Sequence, residues 1–183
     1  MKRRILVLAI GGAVLVLGIV LYLVRMSQDE PEPPQAGTVS LEVYGPDEEA
    51  MRLEVAYLVP VPDTMSLEGK LRLLARKVSE HRFNGLPVEF VEIDASSGRR
   101  IAVIDLRENV RTGHSWRTGF FQGSTGGHFT TASLVETFLQ RDYRGRWVDG
   151  VEFLYEGRPV SRNWDHVRLD RPWFRNEPRP REP

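Results

Sequence analysis

Cysteine is absent from this chain of 183 residues. Its absence excludes disulfide bonds, thiolate zinc sites, a cysteine nucleophile and the lipid-modified cysteine of a bacterial lipoprotein. A chain of this length has room for one ordinary domain with short appendages, which excludes a large multidomain enzyme. We therefore predict a single folded domain that is held together by the burial of apolar side chains.

A basic excess is also absent from most of the chain. The 25 basic residues balance 25 acidic ones, but four of the basic residues lie within the first 25 positions, where there is no acidic residue. The remainder carries 21 basic against 25 acidic residues. Nucleic-acid-binding domains normally carry a basic surface, so we predict that nucleic acid is not a partner.

Histidine pairs with metal-ligand spacing are missing as well. The four histidines are never closer than 14 positions, so no two of them have the spacing that places two ligands on one helix face. No lysine follows Lys77, and the phosphate-binding pattern Gly-x-x-x-x-Gly-Lys-Ser/Thr does not occur. We predict no metal and no cofactor.

The serine elbow of many hydrolases, Gly-x-Ser-x-Gly, is not present either. Around Ser124 one residue is missing between the first glycine and the serine. We predict no catalytic residue and no enzymatic activity. One alternative stays open, a hydrolase in which His114 or His128 acts with Ser115 or Ser124 and with Asp105.

A long apolar run stands at the N-terminus. Ile5 to Val24 is a stretch of 20 uncharged residues, which as a helix would reach about 30 Å, the thickness of the bilayer core. The alternative is a cleaved signal peptide, but Leu21 to Arg25 offers no peptidase site. Basic residues precede the run and acidic ones follow it, so we predict a single-pass anchor at 5–24 with residues 1–4 in the cytoplasm and the rest outside.

Two proline-rich segments flank the remaining sequence. Residues 25–38 are acidic and carry three prolines, and we predict an extended linker there. Residues 175–183 are also rich in proline, which predicts a disordered tail. The folded domain is then expected at 39–174.

Apolar periodicity predicts the order β-β-α-β-β-α-β within this domain. Alternation in Val39–Tyr44 and again in Met51–Val59 predicts a hairpin with Met51 and Val55 on its apolar face. A helix with Ser66 as N-cap follows, and we expect an apolar stripe through Leu71, Leu74 and Val78, with Lys70 on the solvent face. The fold class that we predict is α+β with two layers, a mostly antiparallel sheet carrying both helices on one face.

A glycine-rich segment, Gly113 to Gly127, is predicted as a loop that opens the second helix. Its end could bind an anion through free backbone N–H groups, but we favour helix capping and close packing against the sheet. The aromatic residues that crowd the second half are expected mainly in the core. The residues that we predict to be structural at the helix entry and at the exit of the last strand are Gly123, Ser124, Thr125, Gly126, Gly127, Gly157 and Pro159.

Several motifs resemble a known family. Ile101-Ala-Val-Ile-Asp-Leu106 is similar to a family strand that ends in Asp-Leu. Phe121-Gln-Gly-Ser-Thr-Gly-Gly127 leading into Ser133–Phe138, and then Gly150–Val160, follow in the same order and spacing. The family is the GerMN domain of the bacterial sporulation and germination protein GerM and of other envelope proteins. The resemblance implies a domain similar to ring-building motifs, which assemble side by side and have no known active site.

These observations together predict a non-catalytic assembly or binding module outside the cytoplasm. It is expected at the bacterial cytoplasmic (inner) membrane, anchored in the lipid bilayer through Ile5 to Val24, with envelope proteins or other copies of itself as partners. Sporulation- and germination-type complexes are the expected setting. A receptor for cell-wall glycan, suggested by the aromatic residues, is the alternative from another functional class.

Overall fold

The computed structural model describes residues 37–47, 49, 51–109, 113–162, 164 and 166–180, which belong to one compact unit. The predicted anchor and residues 25–36 of the linker lie outside the described residues. Within the described ranges, no helix combines the length and the apolar character that a membrane span requires.

The fold class is α+β, as predicted. The described residues form two α-helices, one short π-helix and seven strands. In order they are β1 (Thr38–Asp47), β2 (Arg52–Pro62), α1 (Leu67–Arg82), β3 (Val88–Asp94), β4 (Ile101–Leu106), the π-helix (Trp116–Phe120), α2 (Gly123–Leu139), β5 (Gly150–Tyr155), β6 (Arg158–Pro159) and β7 (Trp173–Phe174).

The described strands form two sheets instead of the single sheet that we expected. Among them, β1 and β2 pair only with each other, as an antiparallel hairpin. The second sheet has the order β3-β4-β5-β6, and β7 also pairs with β5. All pairs are antiparallel except β4 with β5, whose connection contains α2 and is long enough for a parallel crossover. Helix α2 packs mainly against β1 of the first sheet, whereas α1 packs mainly against β3 of the second.

Helix α1 confirms the predicted apolar stripe and its N-cap. Leu71, Leu74 and Val78 are fully buried, and the Ser66 hydroxyl accepts a hydrogen bond of 3.1 Å from the Gly69 N–H. Lys70 contradicts the prediction, since only 5% of it is exposed. Its alkyl stem is covered, while its ammonium donates to a backbone carbonyl and to a tyrosine hydroxyl, which offsets the loss of water.

The hairpin β1–β2 is confirmed, but its two faces differ from the prediction. Val59 and Val61 are buried, whereas Met51 and Val55 are 48% and 40% exposed, because the core covers only the C-terminal half of β2. Tyr44 is also buried, although alternation along β1 would have placed it outside. The sheet has a bulge beside it, where Ala56 of β2 is skipped between the pairs Val43–Tyr57 and Tyr44–Val55.

Most aromatic residues of the second half lie in the core, as predicted. Trp116, Phe121, Trp147 and Trp173 are buried, whereas Phe120 and Trp164 are half-buried. The predicted extent of the glycine-rich loop, Gly113 to Gly127, is wrong. The π-helix forms within it, and α2 begins at Gly123 instead of after Gly127.

The C-terminal segment also differs from the prediction of a disordered tail. Arg171 Nη1 bonds to the Glu177 carboxylate, and Arg179 lies 3.5 Å from the carboxylate of Glu136. Arg175 Nη2 donates to the carbonyls of Gln140, Arg141 and Tyr143, directly after α2. Arginines of the segment thus satisfy carbonyls and carboxylates around the end of this helix, where a positive charge is favourable. Residues 181–183 of the predicted tail lie outside the described residues.

Candidate functional site

The predicted glycine motif lies in the first turns of α2. Gln122 is the N-cap and makes no side-chain capping bond, so capping by Ser124 or Thr125 is wrong, and both are exposed. A Cβ added at Gly126 would lie 3.1 Å from the Phe120 carbonyl oxygen. One added at Gly127 would lie 3.2 Å from the carbonyl oxygen of His166. The two glycines therefore let the preceding loop and the C-terminal segment around His166 pack closely against α2. We had expected the sheet to make this close contact.

The second predicted motif forms a tight turn. Glu156 and Gly157 both have positive φ, 52° and 72°, and they join β5 to β6, in which Pro159 pairs with Leu154. The Gly157 N–H donates a hydrogen bond of 3.0 Å to the buried carboxylate of Asp105. Arg107 Nη2 lies 2.9 Å from the other oxygen of this carboxylate. Asp105 therefore connects the end of β4 to the turn after β5.

In the alternative hydrolase, Asp105, the two serines and His128 do not converge on one another in the described residues. Both carboxylate oxygens of Asp105 are engaged by Gly157 and Arg107, as described above. The Ser115 hydroxyl donates to Glu108, and Ser124 is exposed at the start of α2. Among the hydrogen bonds of the described residues, none joins His128 to a serine or to Asp105.

His128 instead lies beside a histidine from the C-terminal segment. The ring centroids of His128 and His166 are 5.9 Å apart. Sequence reasoning missed this pair because the two residues are 38 positions apart and only the close approach at Gly127 brings them together. In the described residues, no group of three or more histidine or acidic side chains is arranged to hold a metal ion.

The two histidines open onto a cavity of about 560 Å³, which we call the histidine–arginine pocket. Its walls come from α2, from the segment around β7 and from the chain beyond it. The lining residues are His128, Thr131, His166, Arg168, Arg171, Trp173, Glu177, Pro178, Arg179 and Pro180. Cationic and imidazole side chains outnumber the single carboxylate, so the pocket is basic.

A larger cleft of about 1020 Å³ lies between the start of α1 and the loop after α2. It contains charges of both signs, among them Glu42, Asp142 and Arg144. The ammonium of Lys70 is its most buried charge, and it lies 3.0 Å from the Tyr143 hydroxyl and 3.1 Å from the Asp63 carbonyl oxygen. Two of its three N–H donors thus already have protein partners, and with charges of both signs around it the cleft has no concentrated charge for a ligand.

A buried carboxylate lies close behind the histidine–arginine pocket. Glu136 is inaccessible to solvent, and both of its oxygens accept hydrogen bonds of 2.9 Å from Arg141 Nε. Burial raises the pKa of Glu136, while the hydrogen bond and charge of Arg141 and the charge of Arg179 oppose that rise. Arg141 Nη1 also donates to the carbonyls of Phe174 and Glu177, so this ion pair fastens the C-terminal segment to α2.

The two edges of the sheet formed by β1 and β2 differ in how their backbone groups are paired. Along β1, the N–H of Tyr44 donates to Thr137 Oγ1, and the N–H of Glu42 donates to Gln140 Oε1. Side chains from the end of α2 therefore satisfy this edge. Along β2, no other described strand pairs with the outer edge. Val55 and Leu58 on that strand are 40% and 41% exposed.

Comparison with protein-family models, with curated proteins and with solved structures finds no match for this chain. The resemblance to the GerMN domain therefore stays a prediction from the sequence motifs.

Proposed function

We propose that this protein is a non-catalytic assembly or binding module of the bacterial cell envelope. A helix at Ile5 to Val24 would anchor it in the cytoplasmic membrane, with the domain outside. Its partners would be envelope proteins or further copies of itself, in sporulation- or germination-type complexes. The motifs similar to the GerMN domain support this proposal, and they suggest the side-by-side assembly of ring-building motifs.

The observation that carries the proposal is the outer edge of β2. An edge strand offers a row of unpaired N–H and C=O groups, to which a strand of another chain can add. Pro60 and Pro62 have no N–H to donate, so we expect such pairing at Val55–Leu58. Within this window Val55 and Leu58 expose apolar surface that a partner would bury.

A membrane anchor would make even a weak edge contact effective. Copies that are confined to one membrane surface meet at a much higher effective concentration than copies that are free in solution. A short strand pairing with two apolar side chains would be weak in solution. On a membrane, the same contact could build a ring or a patch.

The absence of native cysteine allows one labelling experiment to test both location and edge pairing. Val55→Cys and, as a matched control, Ser97→Cys place a single thiol on β2 and on an exposed turn. Spheroplasts carrying either full-length variant would be treated with a membrane-impermeant maleimide. We expect rapid labelling of Ser97→Cys and protection of Val55→Cys, with the protection lost once detergent separates the complexes.

The proposed location and the proposed edge pairing are each contradicted by a different result. Labelling of Ser97→Cys only after lysis would place the domain in the cytoplasm. Equal labelling rates for the two variants in spheroplasts would show that the edge of β2 stays uncovered. The glycan receptor is not pursued as a second function, because the aromatic residues that suggested it lie mainly in the core.

A further inference from the structure

We propose that the histidine–arginine pocket binds the phosphate group of a small molecule or of an envelope polymer or lipid headgroup. This inference goes beyond the proposed assembly role and does not depend on it. The pocket's volume of about 560 Å³ lies in the range of small-ligand sites, which is about 300–1,000 Å³. An adjoining cavity shares His128, His166, Arg168 and Arg171 with it.

The first argument is an unsatisfied hydroxyl. Thr131 is only 3% exposed, it lines the pocket, and its Oγ1 has no hydrogen-bond partner among the described residues. The neighbouring Thr130 satisfies its hydroxyl by donating to the backbone carbonyl of Phe120, and Thr131 makes no such bond. A buried polar atom without a partner is unfavourable unless a further group satisfies it. An oxyanion in the pocket would be that group.

The second argument is the state of the three arginines. Arg171 is held by Glu177, and Arg179 lies between Glu136 and Asp142. Arg168 forms no ion pair with any carboxylate in the described part of the chain, although it lines the same pocket. Its guanidinium therefore has its donors available for a ligand.

The kinds of donor favour phosphate over a carboxylate. His128 and Thr131 are three residues apart on α2, so they lie on one helix face, while His166 and Arg168 come from the facing segment. These four side chains thus offer hydrogen-bond donors from two sides of the cavity. The two oxygens of a carboxylate lie in one plane and would not reach all of them. A tetrahedral phosphate can accept hydrogen bonds in several directions, and guanidinium is a preferred phosphate partner.

Two substitutions separate ligand binding from folding. Thr131→Val keeps the shape of the side chain and removes the unsatisfied hydroxyl, so the protein without ligand should unfold at an equal or higher temperature. Arg168→Gln removes an exposed charge and leaves the core intact. Arg76→Gln, on the exposed side of α1, is the matched control for loss of one arginine.

The experiment uses the full-length chain in maltoside micelles, which contain no phosphate. Inorganic phosphate, glycerol 3-phosphate and glycerophosphoglycerol would be titrated at constant ionic strength while tryptophan fluorescence and the melting temperature are recorded. We expect a saturable rise in melting temperature for the wild type. Thr131→Val and Arg168→Gln should each weaken the binding by about tenfold or more, since hydrogen bonds to a charged group are the strong ones. Arg76→Gln should bind like the wild type.

The three probes identify the source of the phosphate. Tighter binding of inorganic phosphate or of the monoester would indicate a free phosphate compound, and tighter binding of the diester would indicate a headgroup or a polymer. The proposal is overturned if sodium chloride at equal ionic strength has the same effect as the phosphates. It is equally overturned if Thr131→Val and Arg168→Gln bind as tightly as the wild type.

Discussion

Replacing Arg141 with alanine is expected to lower the free energy of unfolding by about 3–5 kcal/mol, because it leaves a buried carboxylate without its partner. Glu136 has no solvent exposure, and Arg141 Nε contacts both of its oxygens at 2.9 Å. The substitution also removes the donor that holds the backbone of Phe174 and Glu177. Chemical denaturation of the full-length protein in detergent, followed by tryptophan fluorescence, measures the change.

The partner variant provides the control. Glu136→Gln removes the charge and keeps the shape, so it should cost less than Arg141→Ala. In the double variant no buried charge stands alone, and its cost should be smaller than the sum of the two single costs. A cost for Arg141→Ala below about 1 kcal/mol, the size of a surface ion pair, would contradict the account.

The same variant should show a distinct dependence on pH. Burial raises the pKa of Glu136 above 4.5, and loss of Arg141 removes an interaction that lowers it. The folded state then binds a proton more readily than the unfolded state, so stability falls as the pH rises from 4.5 through the folded-state pKa. The deficit of Arg141→Ala relative to the wild type should therefore shrink as the pH is lowered towards 4.5. A deficit that grows on acidification would contradict this assignment.

Trp116→Ala is the second substitution with a large expected effect, a loss of about 3–5 kcal/mol in the free energy of unfolding. Trp116 is fully buried in the π-helix, and its ring centroid lies 4.7 Å from that of Phe83. Its indole N–H donates a hydrogen bond of 2.9 Å to the Arg107 carbonyl. Truncation would leave a large cavity and an unsatisfied carbonyl where α1, β4 and the π-helix meet.

Trp116→Phe separates these two contributions. It retains most of the ring packing and loses the N–H donor, so its cost should be well below that of the alanine variant. The same denaturation measurement compares the three proteins. If alanine and phenylalanine variants were equally stable, ring burial at this position would not stabilise the fold as we describe.

Local patterns predicted the elements whose stabilising contacts are close in sequence. Alternation predicted the strands of the hairpin β1–β2, and the spacing of Leu71, Leu74 and Val78 predicted the buried side of α1. Ser66 was identified as its N-cap because a capping residue acts on an N–H only three positions away. Such features depend on neighbours within one or two turns.

Features that depend on distant segments were not predictable in this way. The parallel pairing of β4 with β5 joins strands that flank α2, and apolar periodicity contains no information on strand direction. Lys70 is buried because Tyr143, 73 positions later, receives its hydrogen bond. The histidine–arginine pocket forms because Gly127 lets His166 approach α2, and a glycine in a sequence does not reveal which segment will pass beside it.

The size of the complexes in membranes tests the proposed assembly role most directly. Full-length wild type, Val55→Lys and the control Ser97→Lys would be extracted from membranes in mild detergent and compared by light scattering. A lysine on the edge of β2 opposes strand addition, whereas one in the exposed turn does not touch this edge. We predict complexes larger than one chain for the wild type and for Ser97→Lys, and single chains for Val55→Lys. A wild type that is found only as single chains without a partner, or a Val55→Lys variant in complexes of wild-type size, would contradict the account.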